Sequence, residues 1–402
     1  MSDFFQSGVV ATLHKLGHPD LGSLEVELSR LRKRRPLALI LPAVYAEFER
    51  EALPNILQQI KEVNFLNEVV LVMNRTEAME FRRAKKTLSE LGLNIDIVWS
   101  SGPRIGKLYK ILEENNLSIG EDGKGRSVWI ALGYILANDR SEAMVLHDCD
   151  ITNYSRELLA RLCYPLANPN LGYEFCKGYY PRVTDRMYGR VTRLYFTPLI
   201  RALEKIINYN PFLVYLDSFR YPLAGEFSLD EDLARVIRIP SDWGLEVGIL
   251  AEVYHNCVPK RICQVDLMET YEHKHQELSP TDPSRGLLKM CIDITKSLFR
   301  TLAQEGIVIS EGLLRTLAAT YLRSAQDMIK KYEDDAAINR LIFDRHAEGT
   351  AVETFLQGIK IAGEEFLNYP LGAPEIPNWN RVTSAIPDFF ERLKEAVQED
   401  NK

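Results

Sequence analysis

Residues 145–154 read VLHDCDITNY, an apolar run that stops at two aspartates with one cysteine between them. In an extended strand, residues two apart share a face, so Asp148 and Asp150 converge if the strand reaches them. Two like charges held together cost free energy unless a cation lies between them, and a divalent metal with oxygen ligands suits that place. The plainer reading is a helix N-cap followed by a turn aspartate. The position of the pair, directly after an apolar run, favours the metal.

Outward from this block, apolar runs alternate with helical patterns. LALIL (37–41), EVVLVM (68–73), NIDIVW (94–99) and AMVLH (143–147) read as strands. They are mostly apolar, as strands covered on both faces are. Helical patterns start near residue 46 and cover 76–91 and 127–137, and a long loop is expected from 100 to 125. The alternation predicts an α/β fold with a Rossmann-like, mostly parallel sheet and helices on both faces. Ligands in such sheets bind beyond the carboxyl ends of the strands. Asp148 and Asp150 fall at that edge, and so does PAVY (42–45) after the first run.

Four regions follow. Residues 1–36 read as an amphipathic helical arm ending in the basic run LRKRRP, a solvated linker. Residues 37–170 and 171–284 form two halves of the α/β part, the second mixing strands with glycine turns. Residues 285–402 are nearly all helical pattern, a C-terminal extension suited to packing or an oligomer interface.

The 402 residues are 46% hydrophobic and 26% charged, with a net charge of −7. That excludes neither a core nor a local anion pocket, but it argues against general nucleic-acid binding, which needs a basic surface. Six cysteines without CxxC spacing fit a reduced, cytoplasmic compartment. No secretory signal and no membrane-length apolar stretch is legible.

Other blocks are weak singly. GKGRS (123–127) is not a Walker A loop, yet a glycine-flanked lysine opening a helix suits a phosphate. YGRVTRL (188–194) offers an arginine shaped for phosphate or carboxylate and a threonine hydroxyl. PLAGEF (222–227) and WGLEVG (243–248) place Glu226 and Glu246 beside small residues. EHKHQ (272–276) carries His273 and His275, and one imidazole joining two aspartates would complete a manganese or magnesium site. Each block also reads as an ordinary loop, cap or helix start.

Taken in order, PAVYAE (42–47), GKG, DCD, YGRVT, PLAGEF, GLEVG and EHKHQ resemble the retaining GT-A glycosyltransferases that make glucosyl-3-phosphoglycerate or mannosyl-3-phosphoglycerate. The resemblance covers roughly residues 37–278. It implies a GT-A fold whose first half binds the nucleotide sugar and whose second half binds the acceptor. The donor would meet Pro42, Ala43, Val44, Glu47, Lys124, Asp148, Cys149, Leu223, Ala224 and Gly225. Asp148, Asp150 and His273 would hold Mg2+ or Mn2+, with Asp150 the main ligand. Gly189, Arg190, Val191, Thr192 and His275 would bind 3-phosphoglycerate, and Glu246 would reach the sugar hydroxyls. Asp150, Arg190 and Glu246 are the expected catalytic residues. The middle of the acidic triplet is cysteine where serine is familiar, and His275 stands where relatives carry asparagine.

The resemblance implies transfer of glucose or mannose from UDP-glucose or GDP-mannose to the 2-hydroxyl of 3-phosphoglycerate, in compatible-solute synthesis. Same-face displacement is expected, since no carboxylate stands out as a covalent nucleophile. A homodimer without nucleic-acid or membrane partners completes the expectation. The alternatives are a mannosyl enzyme preferring GDP-mannose, a nucleotidyltransferase, and a catalytically silent sugar-nucleotide-binding protein.

Overall fold

The computed structural model describes residues 4–6, 8–17, 20–272, 277–372 and 374–402. Its centre is an eight-stranded sheet in the order β1-β8-β6-β7-β5-β2-β3-β4. The strands are β1 Ala11–Leu13, β2 Leu37–Ala43, β3 Glu68–Met73, β4 Asp96–Trp99, β5 Ala143–Leu146, β6 Phe175–Tyr179, β7 Phe227–Asp230 and β8 Ile262–Asp266. β7 runs antiparallel to both its neighbours and the other pairings are parallel. The sheet is therefore mixed and mostly parallel, with helices on its faces, as the alternation of apolar runs predicts. β2 and β5 lie side by side although the chain visits β3 and β4 between them. Their seam is the topological switch point, where the crevice of such sheets opens.

Three expectations need correcting. The first 36 residues hold more than a helical arm: after helix Leu21–Leu31 is set aside, Ala11–Leu13 remains as an edge strand parallel to β8. Three residues are too short to show a strand period in sequence. The expected loop after residue 100 contains the helix Pro103–Glu114, with Ile105, Leu108, Tyr109 and Leu112 buried. Proline at its first turn is compatible with helix entry; the flanking glycines gave the loop reading. Third, β5 ends at Leu146, where its register with Ile40 of β2 ends, so Asp148 and Asp150 leave an irregular turn instead of a continuing strand.

The two expected halves, 37–170 and 171–284, share one sheet, because β7 pairs with β5 on one side and β6 on the other. The C-terminal helices share its core. Trp379 stacks on Trp129 of helix Lys124–Asn138 at 4.1 Å, both rings buried. The last helix, Phe389–Asn401, lies on β4, where the Asn401 amide accepts from Ile97 N at 3.0 Å and donates to Ile97 O at 2.8 Å. A side chain thus takes the place of a neighbouring strand.

Candidate active site

At the end of β5, His147 is fully buried and its ring Nδ1 lies 3.0 Å from the Asp148 carbonyl. Burial pushes the imidazole down to about 4, so it is neutral near pH 7. Cys149 points into the apolar core beside Ile151 and Tyr154, and burial raises its thiol well above the ordinary value. An inward cysteine leaves the aspartates on either side half-buried at the crevice. Two carboxylates suit a hard divalent cation. Among the described residues, however, no cluster of three or more metal-ligating side chains is present. His273, the expected third ligand, lies outside the described residues together with His275.

Lys124 is the first residue of helix Lys124–Asn138 and joins two distant segments. Its ammonium sits 2.5 Å from Asp148 Oδ1 and 3.2 Å from Glu246 Oε1. Desolvation opposes the charge, but the two carboxylates outweigh it and hold the pKa above the ordinary lysine value. Glycine at 125 makes the juxtaposition possible: a Cβ there would stand 1.9 Å from the Pro240 carbonyl oxygen. The helix start therefore presses against the 240–241 backbone, which leads directly into helix Leu245–Asn256 and places Glu246 in its first turn.

The PLAGEF segment closes over this pair. A Cβ on Gly225 would fall 2.4 Å from Asp148 Oδ2, so the bare backbone is what allows the loop to touch the carboxylate. Ala224 O accepts a 2.6 Å hydrogen bond from Lys177 Nζ, a lysine 1% exposed in the middle of β6. Burial lowers Lys177 to about 8, against the pull of Glu246 and Glu226. Glu226 is fully buried and accepts from Tyr180 Oη at 2.6 Å and Tyr271 Oη at 2.7 Å, whose rings stack at 3.7 Å. Burial, then the nearby Asp148 charge, raises its pKa. A carboxylate so enclosed by two phenols is held in place and is not presented to a substrate.

On the opposite side, Gly189 and Arg190 lead into a π-helical stretch, Val191–Phe196, and then helix Thr197–Ile207. Such π stretches recur at functional sites. The Thr192 hydroxyl is buried beside the Tyr221 phenol. Arg190 Nε donates to Glu348 Oε1 at 3.0 Å, and Arg193 donates to Glu348 Oε2 at 2.9 Å.

A cavity of about 600 Å³ is lined by Glu47, Arg50, Asp150, Thr184, Tyr188 and Tyr271, among others, whereas Lys124, Gly225, Glu246, Arg190 and Thr192 are not among its lining residues. Glu47 comes from the short helix Tyr45–Glu49 just after Pro42, Ala43 and Val44 at the end of β2. The structure thus brings together the end of β2, the acidic turn and the start of the YGRVT loop. Leu223 packs against the larger core cluster. Lys124 and Glu246 form their own cluster around Asp148.

No protein-family model matches the chain. The glucosyl-3-phosphoglycerate synthase of Persephonella marina is 51% identical over 401 residues, covering 100% of this chain and 99% of that protein. The chain belongs to the glucosyl-3-phosphoglycerate synthase family. The Methanococcoides burtonii synthase is 38% identical over 405 residues, covering 100% of this chain and 98% of its own length. Among solved structures, the Mycobacterium tuberculosis synthase in complex with Mg2+ and UDP is similar with a TM-score of 0.53 at 21% identity, covering 72% of this chain and 85% of that one. The mannosyl-3-phosphoglycerate synthase of Rubrobacter xylanophilus has a TM-score of 0.53 at 22% identity, covering 71% and 80%. These two show the fold, the GT-A architecture of this family.

Against that family, sequence reasoning missed three supports of the candidate site. Lys177 was legible as the one charge inside FCKGY, a buried strand. The Tyr180–Glu226–Tyr271 cluster had no signal, since its members are far apart in sequence. Nor had Glu348, which lies in helix Arg345–Asn368 of the extension expected to serve packing or an oligomer interface. No helix among the described residues is long and apolar enough to cross a membrane.

Proposed function

We propose that this protein transfers glucose, with retention, from UDP-glucose to the 2-hydroxyl of 3-phosphoglycerate, giving glucosyl-3-phosphoglycerate for compatible-solute synthesis. The observation that carries this reading is full-length identity of 51% to a glucosyl-3-phosphoglycerate synthase, joined to the Lys124, Asp148 and Glu246 cluster at the switch point of a GT-A sheet.

Asp148 and Asp150 would hold the divalent ion, Mg2+ or Mn2+, and His273 is the third donor of this proposal. That ion supplies electrostatic stabilisation of the departing diphosphate. Structures of the M. tuberculosis synthase with Mn2+, UDP-glucose and phosphoglyceric acid support the choice of donor, acceptor and metal. Lys124 adds a fixed ammonium on the same side, charged at all physiological pH because Asp148 and Glu246 keep it so. Pro42, Ala43, Val44 and Glu47 line the nucleotide, and Cys149 backs the acidic turn. Leu223, Ala224 and Gly225 bound the sugar, with Glu246 toward its hydroxyls. Gly189, Arg190, Val191 and Thr192, with His275, hold the acceptor so that its hydroxyl meets the anomeric carbon, a positioning effect. Glu226 is enclosed by Tyr180 and Tyr271, which favours same-face displacement over a covalent adduct on that carboxylate.

A cytoplasmic homodimer remains part of the proposal. The six cysteines, all free and buried, support a reducing compartment. Sedimentation velocity tests the homodimer.

The direct test is nucleoside diphosphate release from UDP-glucose, GDP-mannose and other nucleotide sugars with 3-phosphoglycerate, with and without EDTA. Release from UDP-glucose that depends on acceptor and metal is expected. Asp150→Ala should raise the metal concentration for half-maximal rate by more than the roughly 10–100-fold seen for outer-shell changes. Chelator-insensitive turnover, or preference for GDP-mannose, would overturn the assignment.

A further inference from the structure

We infer that Glu348, in the C-terminal helical extension, is a positioning residue for the acceptor, acting through Arg190. This rests on the proposed acceptor role of Arg190. The side chain of Glu348 is only 6% exposed, yet it is a carboxylate, and its two oxygens are divided between two guanidiniums. Oε1 takes Arg190 Nε at 3.0 Å and Oε2 takes Arg193 at 2.9 Å.

The two arginines are not equivalent. Arg193 is 11% exposed, donates to the carbonyls of Tyr188 at 2.8 Å and Met187 at 3.3 Å, and lies 4.8 Å over the Tyr332 ring. It is spent on holding the loop. Arg190 is 39% exposed and engages Glu348 through Nε, so its fork is fixed at the root while part of it faces outward. An anchored guanidinium loses less freedom on binding a phosphate or carboxylate than a mobile one.

Glu348 also sits at a helix start. It lies in the first turn of helix Arg345–Asn368, whose N-terminus favours an anion. The chain just before that helix is tied to the same loop, with Ile342 N donating to Asp185 O at 2.8 Å. The extension is therefore stitched to this loop at several points and contributes a buried carboxylate to it.

A carboxylate beside Arg190 has two opposing effects on an anionic acceptor: it fixes the guanidinium, and it offsets part of the positive charge. Two arginines share the one carboxylate, so these three groups keep a net positive charge, and the inference is that the fixing effect dominates. The sign of the change on neutralising Glu348 separates the two.

Steady-state rates of the full chain are measured with 3-phosphoglycerate varied at saturating UDP-glucose, and then the reverse, for Glu348→Gln, Glu348→Asp, Arg190→Ala and Lys296→Gln. Lys296 pairs with Glu365 in the same helical layer, away from the loop, and controls for loosening of the extension. Glu348→Gln should raise the KM for 3-phosphoglycerate about 10–100-fold and leave the KM for UDP-glucose within about twofold. Glu348→Asp, which keeps the charge, should fall between it and the parent, and carries the same test if the glutamine variant does not fold. Lys296→Gln should change neither constant. An unchanged or lowered acceptor KM in Glu348→Gln, or an equal rise in both KM values, overturns the inference. If Arg190→Ala raises the acceptor KM while Glu348→Gln does not, only the role of Glu348 falls. If Arg190→Ala leaves it unchanged, the acceptor reading of Arg190 falls as well.

Discussion

Lys124 and Asp148 form an ion pair of 2.5 Å although 24 positions separate them in the chain. Glu246 closes the other side of the same ammonium at 3.2 Å. Lys124→Met would leave two carboxylates facing each other and remove a fixed cation from the donor side. The expected loss in kcat is about 10²–10³-fold, the size found on removing one preorganised electrostatic donor. Nucleoside diphosphate release checks it, with circular dichroism to confirm that the fold survives.

Lys177 predicts a separation of stability from activity. Its folded pKa of about 8 against an ordinary 10.5 means that burying the ammonium costs about 3 kcal/mol near neutral pH. That cost shrinks as pH rises from about 8 toward 10.5, where the unfolded lysine also loses its proton. The hydrogen bond to Ala224 O offsets about 1–3 kcal/mol. Lys177→Met should therefore melt at the parent's temperature or above it at pH 7, with the gap narrowing by pH 10. Turnover should nonetheless fall, because the PLAGEF loop loses its anchor. Thermal melts at both pH values and rate assays at pH 7 decide it.

His147 predicts an acid weakness. Buried and neutral, with a folded pKa near 4, it contributes stability that is fully present above its ordinary value of 6.5. Between pH 6.5 and 4 the unfolded chain takes up the proton and the folded chain does not, so up to about 3 kcal/mol is lost over that window. His147→Phe should flatten that part of the curve. Urea denaturation at pH 7.5, 5.5 and 4.5 measures it.

Gly225→Ala would set a methyl group 2.4 Å from Asp148 Oδ2. Either the loop or the carboxylate must move. Overpacking of this kind costs about 1–3 kcal/mol of stability, and displacing a site carboxylate by an ångström costs about 100-fold in rate. Calorimetry and kcat together test it, and an unaffected kcat would remove Asp148 from the working site.

How much of this was legible depended on distance along the chain. β3 matches EVVLVM residue for residue, because a strand buried on both faces is written as a continuous apolar run. The acidic turn, the GKG loop and the PLAGEF loop were legible as local blocks. Helix Pro103–Glu114 was hidden by its own punctuation, since Gly102, Pro103 and Gly106 gave a loop reading while the apolar period ran beneath them. What sequence could not give is the pairing of blocks. Nothing local links Lys124 to Glu246, 122 positions on, or Arg190 to Glu348, 158 positions on. Those contacts exist only after the sheet has set the register of everything attached to it.

The Asn401 amide that completes β4 carries a consequence for biogenesis. Ile97 and Asn401 are 304 positions apart, so during synthesis the open rim of the nascent sheet waits for 304 further residues before it is sealed. An unsealed rim is a template for pairing with another molecule. Removing the closing helix, or burdening it with a bulky fusion, should therefore be felt first as poor yield from aggregation, before any change in the chemistry of the mature protein.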